Sequence, residues 1–187
     1  METLRQSLGV SSLDHTFGNF EHLPGTDRAY TAFFAMANRD DARPFLLCYG
    51  GVGNGKTYLC EALALALRKK GRYARVVTMA RVMSVLKHSM QADSGMLSLD
   101  DILNNYCKAP HLILDDVGMG GSGSAWEFGQ LEEIVCYRYR ERLMTVLTTN
   151  RDLKELPERI VSRFYDPEVG FVVLNEGADF RRKVRED

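Results

Sequence analysis

The sequence predicts an α/β fold of three layers, in which a five-stranded parallel sheet lies between two layers of helices. Three observations predict it: short apolar runs alternate with segments of helical periodicity, a glycine-rich turn joins the first run to the next helix, and no repeat or linker divides the chain. Strands that alternate with helices form parallel sheets, because each helix returns the chain to the edge where it started. We therefore expect one domain over residues 1–187, whose segment 1–44 precedes the first strand.

Five short apolar runs predict the strands, because a strand covered on both faces of a parallel sheet is apolar at nearly every position. The first run, 45–49, is bounded by Pro44 and Gly50, which interrupt regular structure on either side. The remaining runs are 73–79, 111–114, 143–149 and 171–174.

Apolar spacing and capping residues predict the helices. Leu59, Leu63 and Leu67 share one face of the helix that begins after Gly55, and Gly71 ends it. Ser98 and Asp101 have the spacing of a capping box. Three further positions can begin helices: Gly25-Thr26-Asp27, Thr78 and Pro157. A long helix is expected to end at about residue 142. Residues 1–12 are expected to be polar and loose.

The composition is that of an ordinary globular domain, with 45% hydrophobic and 26% charged residues, which excludes disordered and collagen-like chains. The net charge is −1, so any nucleic-acid contact must come from a local patch or from several subunits together. No apolar run approaches the roughly 20 residues that span a bilayer, so we expect no membrane contact. The four cysteines lack metal-site or redox spacing, and we expect a cytoplasmic protein.

The glycine-rich turn fits the pattern G-x-x-x-x-G-K-[ST] between a strand and a helix, which is the context of a phosphate-binding P-loop. Its backbone N–H groups converge on phosphate oxygens, Lys56 reaches the β and γ phosphates, and the Thr57 hydroxyl ligates Mg²⁺. The alternative is a glycine-rich turn without a ligand. The nucleotide-binding candidates are Gly50, Gly51, Val52, Gly53, Asn54, Gly55, Lys56, Thr57 and Tyr58.

Two carboxylates follow the third strand, at the sheet edge where ligands bind in open parallel sheets. Asp115 is the candidate to hold Mg²⁺ through water, and Asp116 the candidate to orient and polarise the attacking water. The alternative is that both acids cap the following loop.

Polar residues also follow the fourth strand. The Asn150 amide, after Thr148 and Thr149, reaches the same edge and can hold the water or the γ-phosphate. The alternative is that Asn150 only makes a turn.

Two arginines share one face of a later helix. Arg159 and Arg163 are spaced i, i+4, and an arginine there can reach a γ-phosphate held by a neighbouring subunit. A solvated basic face is the alternative.

Together these motifs resemble the AAA+ ATPases of the DnaC/DnaI helicase-loader and IstB transposition-helper group, which are related to the initiator DnaA. The resemblance runs from 16–20 to 179–181 and includes the P-loop, Leu114 to Gly118, Tyr137-Arg138-Tyr139, Thr148 to Asn150 and Arg159 to Phe164. It implies that Asn150 is the sensor 1 residue, that Arg163 rather than Arg159 is the arginine finger, that Arg181 acts like sensor 2, and that the Phe17 region lies near the adenine.

Three features depart from this family's pattern. Only about 44 residues precede the first strand, whereas loaders usually carry an N-terminal domain that grips the helicase. Thirteen residues follow Leu174, too few for a full helical lid, so we expect the lid to be absent or minimal. Asp116 replaces the more common Glu, and its shorter side chain suggests slow hydrolysis.

The resemblance implies a replication protein that binds ATP and Mg²⁺, hydrolyses ATP, and assembles as an ATP-dependent homo-oligomer on single-stranded DNA. Its expected protein partner is a replicative helicase or a related DNA-processing protein. Lys87 and His88, in the helix after the second strand, are the candidate DNA contacts, and the alternative is that they form a solvated helix face. The alternatives are a transposition helper ATPase, an ATP-gated scaffold with little hydrolysis, and a small P-loop kinase, which explains the acidic strand end, Asn150 and the arginine helix less well.

Overall fold

The computed structural model describes residues 2–38, 42–90, 97–118 and 124–183. Its five strands form one parallel sheet in the order β2-β3-β4-β1-β5, which confirms the predicted three-layer α/β fold. The strands are β1 Phe45–Gly50, β2 Arg75–Thr78, β3 His111–Asp115, β4 Met144–Thr149 and β5 Gly170–Asn175.

Helices cover both faces of the sheet. They are α1 Glu2–Leu8, α2 Asp27–Asn38, α3 Lys56–Lys69, α4 Met79–Ser89, α5 Leu99–Lys108, α6 Ala125–Arg140, α7 Glu158–Tyr165 and α8 Phe180–Lys183, with 3-10 turns at Phe17–Asn19 and Leu153–Glu155. Within the described ranges, none of these helices combines the length and apolar character needed to cross a bilayer.

The hydrophobic core has two parts, one on each face of the sheet. Leu46 and Cys48 of β1 pack with residues of α1, α2 and α3 on one face. Phe45 and Leu47 pack with residues of α4 to α7 on the other. Because successive strand residues point to opposite faces, a continuous apolar run serves both helical layers at once.

The capping signals have the expected effect at two helices. Thr78 accepts a hydrogen bond from the Arg81 N–H at the start of α4, and Ser98 and Asp101 form a reciprocal capping box at the start of α5. Pro157 takes the N-cap position of α7 rather than its first turn. β2 is also shorter than the predicted 73–79, because only Arg75 to Thr78 pair with β3.

The expectation that residues 1–12 are loose is wrong for their described part. The chain forms α1 over Glu2–Leu8, and the side chains of Leu8 and Val10 are buried. Gly9 passes so close to the backbone of Val76 that a Cβ there would overlap the Val76 carbonyl oxygen. The segment thus packs beside β2 at the edge of the sheet, and covering an edge strand in this way blocks unwanted pairing.

Candidate nucleotide-binding site

The P-loop joins β1 to α3, and its glycines adopt backbone angles that other residues rarely take. Gly50, Gly53 and Gly55 have φ values of 145°, 72° and 87°. At Gly53 the Asp179 carboxylate also occupies the space that a Cβ would take, so a side chain there would displace this carboxylate. Positive φ at these glycines turns backbone N–H groups of the loop inward, as in an anion-binding nest.

Lys56 lies over this loop. Its ammonium group donates to the carbonyls of Gly50, at 2.9 Å, and Gly51, and to Asn54 Oδ1 at 2.9 Å. Burial lowers the pKa of Lys56, and the nearby Cys48 and Asp115 oppose that shift. The lysine therefore holds its donors inside the loop, where the motif predicts phosphate oxygens.

Asp115 is buried, and neighbouring side chains fix its carboxylate. Thr57 Oγ1 donates to Asp115 Oδ2 at 2.8 Å, and Thr148 Oγ1 and Cys60 Sγ both contact Asp115 Oδ1. A hydroxyl and a carboxylate held together are the hard oxygen ligands that Mg²⁺ prefers, so this pair fits that ion. Burial raises the pKa of the Cys60 thiol well above its ordinary value, which keeps it neutral beside the carboxylate.

Asp116 has a left-handed backbone, with φ 60°, in which its carboxylate meets Asn150. Asn150 Nδ2 donates to Asp116 Oδ1 at 2.7 Å. Burial, and then the neighbouring charge of Asp115, raise the pKa of Asp116, whereas Lys56 and Arg181 lower it. The structure thus places two hydrogen-bonded pairs side by side, Thr57 with Asp115 and Asn150 with Asp116.

These residues line a cavity of about 720 Å³ that continues toward the N-terminal segment. There its wall includes His15, Phe20 and Tyr58, whose rings pack against one another, with the His15 and Tyr58 centroids 4.3 Å apart. Phe17 instead packs edge-on against Tyr30 and Phe34. The predicted region therefore borders the cavity, but through neighbours of Phe17.

The buried Glu61 anchors this N-terminal wall. Its carboxylate accepts hydrogen bonds from the Ser11 N–H at 3.0 Å, the Ser11 hydroxyl at 3.1 Å and the Ser12 N–H at 3.4 Å. It also lies 2.7 Å from His15 Nδ1. An acid on the apolar side of a P-loop helix gives no sequence signal of this role, because its partners lie about fifty residues away.

Residues at the end of β5 and after it contact the P-loop, and sequence reasoning missed most of these contacts. Asn54 Nδ2 donates to the Asn175 carbonyl, and Asn175 Nδ2 donates to the Asn54 carbonyl, each at 2.9 Å. The Phe180 N–H donates to the Gly53 carbonyl at 3.0 Å. Arg181 therefore borders the same cavity. The two asparagines are 121 positions apart, so local spacing carries no sign of their pairing.

The structure does not bring the helix-face arginines into this cavity. Arg163 donates to the Arg159 carbonyl, and its guanidinium lies 5.5 Å from the Tyr139 ring centroid. In the described part of the chain its buried Nε has no hydrogen-bond partner. Arg159 pairs with Glu132 at 3.1 Å.

The two candidate DNA contacts lie on α4 and do not line the cavity beside the P-loop. Lys87 forms an ion pair with Glu127 at 2.7 Å, and its ammonium lies 6.0 Å from the Trp126 ring centroid. His88 Nδ1 lies 2.7 Å from the Ser84 carbonyl oxygen. Both side chains are exposed, but Lys87 already has an acidic partner.

The sheet order, the P-loop and the acidic end of β3 define the AAA+ class of P-loop ATPases. Residues 12–173 match the bacterial DnaA ATPase domain, and the chain belongs to that family. It is 29% identical over 160 residues to the chromosomal replication initiator protein DnaA of Limosilactobacillus fermentum, covering 81% of this chain and 35% of that protein. The chain thus spans about a third of the length of the curated relatives it matches.

Solved structures of other proteins share the fold, among them the following two. The DnaC helicase loader superposes with a TM-score of 0.72 at 23% identity, covering 87% of this chain and 97% of that one. The replication initiator DnaA bound to AMPPCP and single-stranded DNA superposes with a TM-score of 0.73 at 23% identity, covering 92% of this chain and 55% of that one.

Proposed function

We propose that this protein binds ATP and Mg²⁺, hydrolyses ATP slowly, and assembles with copies of itself on single-stranded DNA as a loader-like replication factor. One observation carries the proposal: two hydrogen-bonded pairs, Thr57 with Asp115 and Asn150 with Asp116, lie side by side beside the P-loop. Membership of the DnaA ATPase-domain family supports it. We treat residues 1–187 as one AAA+ domain.

Each group in this site has a distinct task. The loop N–H groups and Lys56 bind the phosphates, and the oxygens of Thr57 and Asp115 hold Mg²⁺. When bound, Mg²⁺ neutralises charge on the phosphate oxygens. Asp116 orients the attacking water and accepts its proton, and Asn150, which donates to Asp116, fixes the direction of that carboxylate. The short aspartate side chain gives slow turnover.

The rest of the nucleotide is bound at the two ends of the cavity. His15, Phe20 and Tyr58 form an aromatic wall, where an adenine ring would stack. Arg181 borders the phosphate end from the same subunit, which supports a sensor 2 role. Arg163 lies outside its own subunit's cavity, which supports a role as an arginine finger toward a neighbouring subunit.

The relatives support the proposal of a DNA partner and a protein partner. The solved DnaA relative is bound to single-stranded DNA, and DnaC is a helicase loader. We propose single-stranded DNA as one partner, and a replicative helicase or a related DNA-processing protein as the other. Since Lys87 is paired with Glu127, phosphate would have to compete for it, so DNA binding should be weak for one subunit and strengthen on assembly.

A mixing experiment tests the assembly and the site together. Lys56→Ala should abolish tight ATP binding, because the lysine charge serves phosphate, and Arg163→Ala should abolish turnover but keep ATP binding. Each variant alone should be nearly inactive. In a mixture, some interfaces pair an intact P-loop with an intact arginine, so part of the activity should return.

Three results would contradict parts of the proposal. Undiminished ATP affinity in folded Lys56→Ala protein would exclude the P-loop assignment. A mixture that co-assembles but recovers nothing would exclude Arg163 as a residue acting between subunits. Turnover that stays absent with and without single-stranded DNA, while ATP still binds, would identify an ATP-gated scaffold instead.

A further inference from the structure

We propose that Thr148 is a positioning residue for ATP hydrolysis, because it holds the two acidic residues of the site in one arrangement. The inference rests on the proposed function. Thr148 is fully buried, with 0% of its surface exposed, at the end of β4 beside the acidic end of β3. It belongs to neither the P-loop nor the acidic pair.

Thr148 binds three consecutive residues, from the last residue of β3 into the turn that follows it. Its hydroxyl donates to the Asp115 carboxylate and accepts the Asp116 N–H at 3.1 Å, and its carbonyl accepts the Val117 N–H at 2.8 Å. A threonine hydroxyl has one proton and two lone pairs, so one oxygen can serve as donor and acceptor together. Here that oxygen couples the side chain of one acid to the main chain of the next.

This coupling matters because the turn is strained at Asp116. Pairing between β3 and β4 ends at Leu114 and Leu147, so the ladder no longer guides the chain where Asp116 takes its left-handed angle. A non-glycine residue keeps such an angle only when its surroundings impose it. The Thr148 hydroxyl supplies one such constraint on the main chain, and Asn150 supplies another on the side chain.

The hydroxyl also limits how the Asp115 carboxylate can turn. Thr57 binds one carboxylate oxygen and Thr148 the other, which fixes the carboxylate plane beneath the P-loop. Residues that orient a metal ligand in this way typically contribute roughly 10–100-fold to metal affinity or activity. Loss of the hydroxyl should therefore impair the hydrolytic step and the Mg²⁺ response, and leave nucleotide binding by the loop intact.

The test uses a shape-matched pair of variants and a control on the same strand. Thr148→Val removes the hydroxyl and keeps the shape, whereas Thr148→Ser keeps the hydroxyl. Thr145→Val is the control, because Thr145 is equally buried in β4 but its hydroxyl bonds Arg138 and the Leu143 carbonyl. ATP turnover is measured for each folded protein over a range of ATP concentrations.

We expect Thr148→Val to lower kcat by about 10-fold or more, with KM changed by less than about 3-fold, and Thr148→Ser to recover most of the loss. Thr145→Val should leave kcat within about 2-fold of wild type, since its hydroxyl does not touch the turn. A purely structural threonine would affect Thr148→Val and Thr145→Val alike, and would show no separation of kcat from KM.

Two measurements do not depend on turnover. Amide hydrogen exchange of the segment that contains Asp116 should be about 5-fold faster in Thr148→Val, but not in Thr148→Ser, since one hydrogen bond is lost. The affinity for a fluorescent ATP analogue in EDTA should be unchanged in Thr148→Val, while the gain in affinity on adding Mg²⁺ should be about 2-fold smaller, in keeping with the small change in KM. If Thr148→Val does not fold, Thr148→Ala takes its place.

Wild-type kcat in Thr148→Val, or equal losses in Thr148→Val and Thr148→Ser, would overturn the inference while leaving the proposed function standing. A wild-type protein that turns over no ATP would overturn the proposed function, and this inference with it. Equal losses of nucleotide affinity and kcat would show that Thr148 supports the P-loop itself, which also contradicts the inference.

Discussion

The two ends of β4 carry buried polar groups of similar chemistry with different consequences. At its start, Thr145 belongs to a network centred on Arg138; at its end, Thr148 and Thr149 belong to a network centred on the turn after β3. All three threonines are fully buried. Burial and hydrogen bonding therefore do not distinguish a functional end of the strand from a structural one.

The start of β4 is held by a buried arginine whose acceptors all belong to the scaffold. Arg138 is 0% exposed and donates to the carbonyls of Tyr106, Cys107, Ala109 and Met144 as well as to the Thr145 hydroxyl. Three of these carbonyls lie at the C-terminal end of α5. The last carbonyls of a helix have no partner within the helix, and they carry partial negative charge. Burial lowers the pKa of Arg138 to about 10, which still leaves it charged at neutral pH.

The end of β4 differs because its network leads to groups that border a cavity. Thr148 and Asn150 bind Asp115 and Asp116, both of which line the nucleotide-binding cavity. Thr149 holds the Val117 carbonyl behind them. A buried polar network is therefore assigned by the groups on which it ends. The network of Arg138 ends on carbonyls of the scaffold and is structural, whereas that of Thr148 ends on carboxylates that line the cavity and is functional.

The largest expected effect is on the free energy of unfolding, and it tests the network of Arg138 at the start of β4. Arg138→Met should lower the free energy of unfolding by about 3 kcal/mol or more, because several buried acceptors lose their donor and each costs roughly 1–3 kcal/mol. ATP affinity per folded molecule should not change. Urea denaturation measures the loss. Arg140→Met, an exposed position on the same helix, is the control and should cost less than about 0.5 kcal/mol. A similar loss in both variants would refute the structural assignment.

The next effect tests the functional end. Asp116→Asn should lower turnover by a factor of about 10² or more, because it removes the charge that polarises water, while ATP affinity and the free energy of unfolding change little. Steady-state turnover and equilibrium nucleotide binding measure the two parts. Asp100→Asn, an exposed aspartate on α5, is the matched control. Unchanged turnover in Asp116→Asn would make Asp116 a structural cap of the turn.

The smallest effect tests whether the two ends are independent. Thr145 and Thr148 lie three residues apart, about 10 Å along the strand, and have no partner in common among the described hydrogen bonds. A double-mutant cycle on the free energy of unfolding with Thr145→Val and Thr148→Val should give a coupling energy below about 0.5 kcal/mol. A larger coupling energy would mean that strain passes along β4, so that the ends form one network.

The sequence predicted the fold and most of the site, because these depend on signals of short range. The apolar runs gave β1, β3, β4 and β5 within one or two residues, and Gly50 to Thr57 marked the loop directly. It also predicted that Asp115, Asp116 and Asn150 share an edge, since parallel strands end together and the three residues follow two strands. Their catalytic roles stay predictions.

Only the tertiary structure decided which polar residues support that site and which polar residues support the scaffold. The bond of Thr148 to Asp115 and the pairing of Asn54 with Asn175 join segments 33 and 121 positions apart, so no periodicity marks them. The ordered start of the chain was likewise hidden, because Leu8 and Val10 are buried beside β2, and the sequence does not show that this strand lies at the edge of the sheet. Repeating patterns record the local geometry of strands, helices and turns, whereas a single buried hydrogen bond depends on which distant segments the packed core brings within reach.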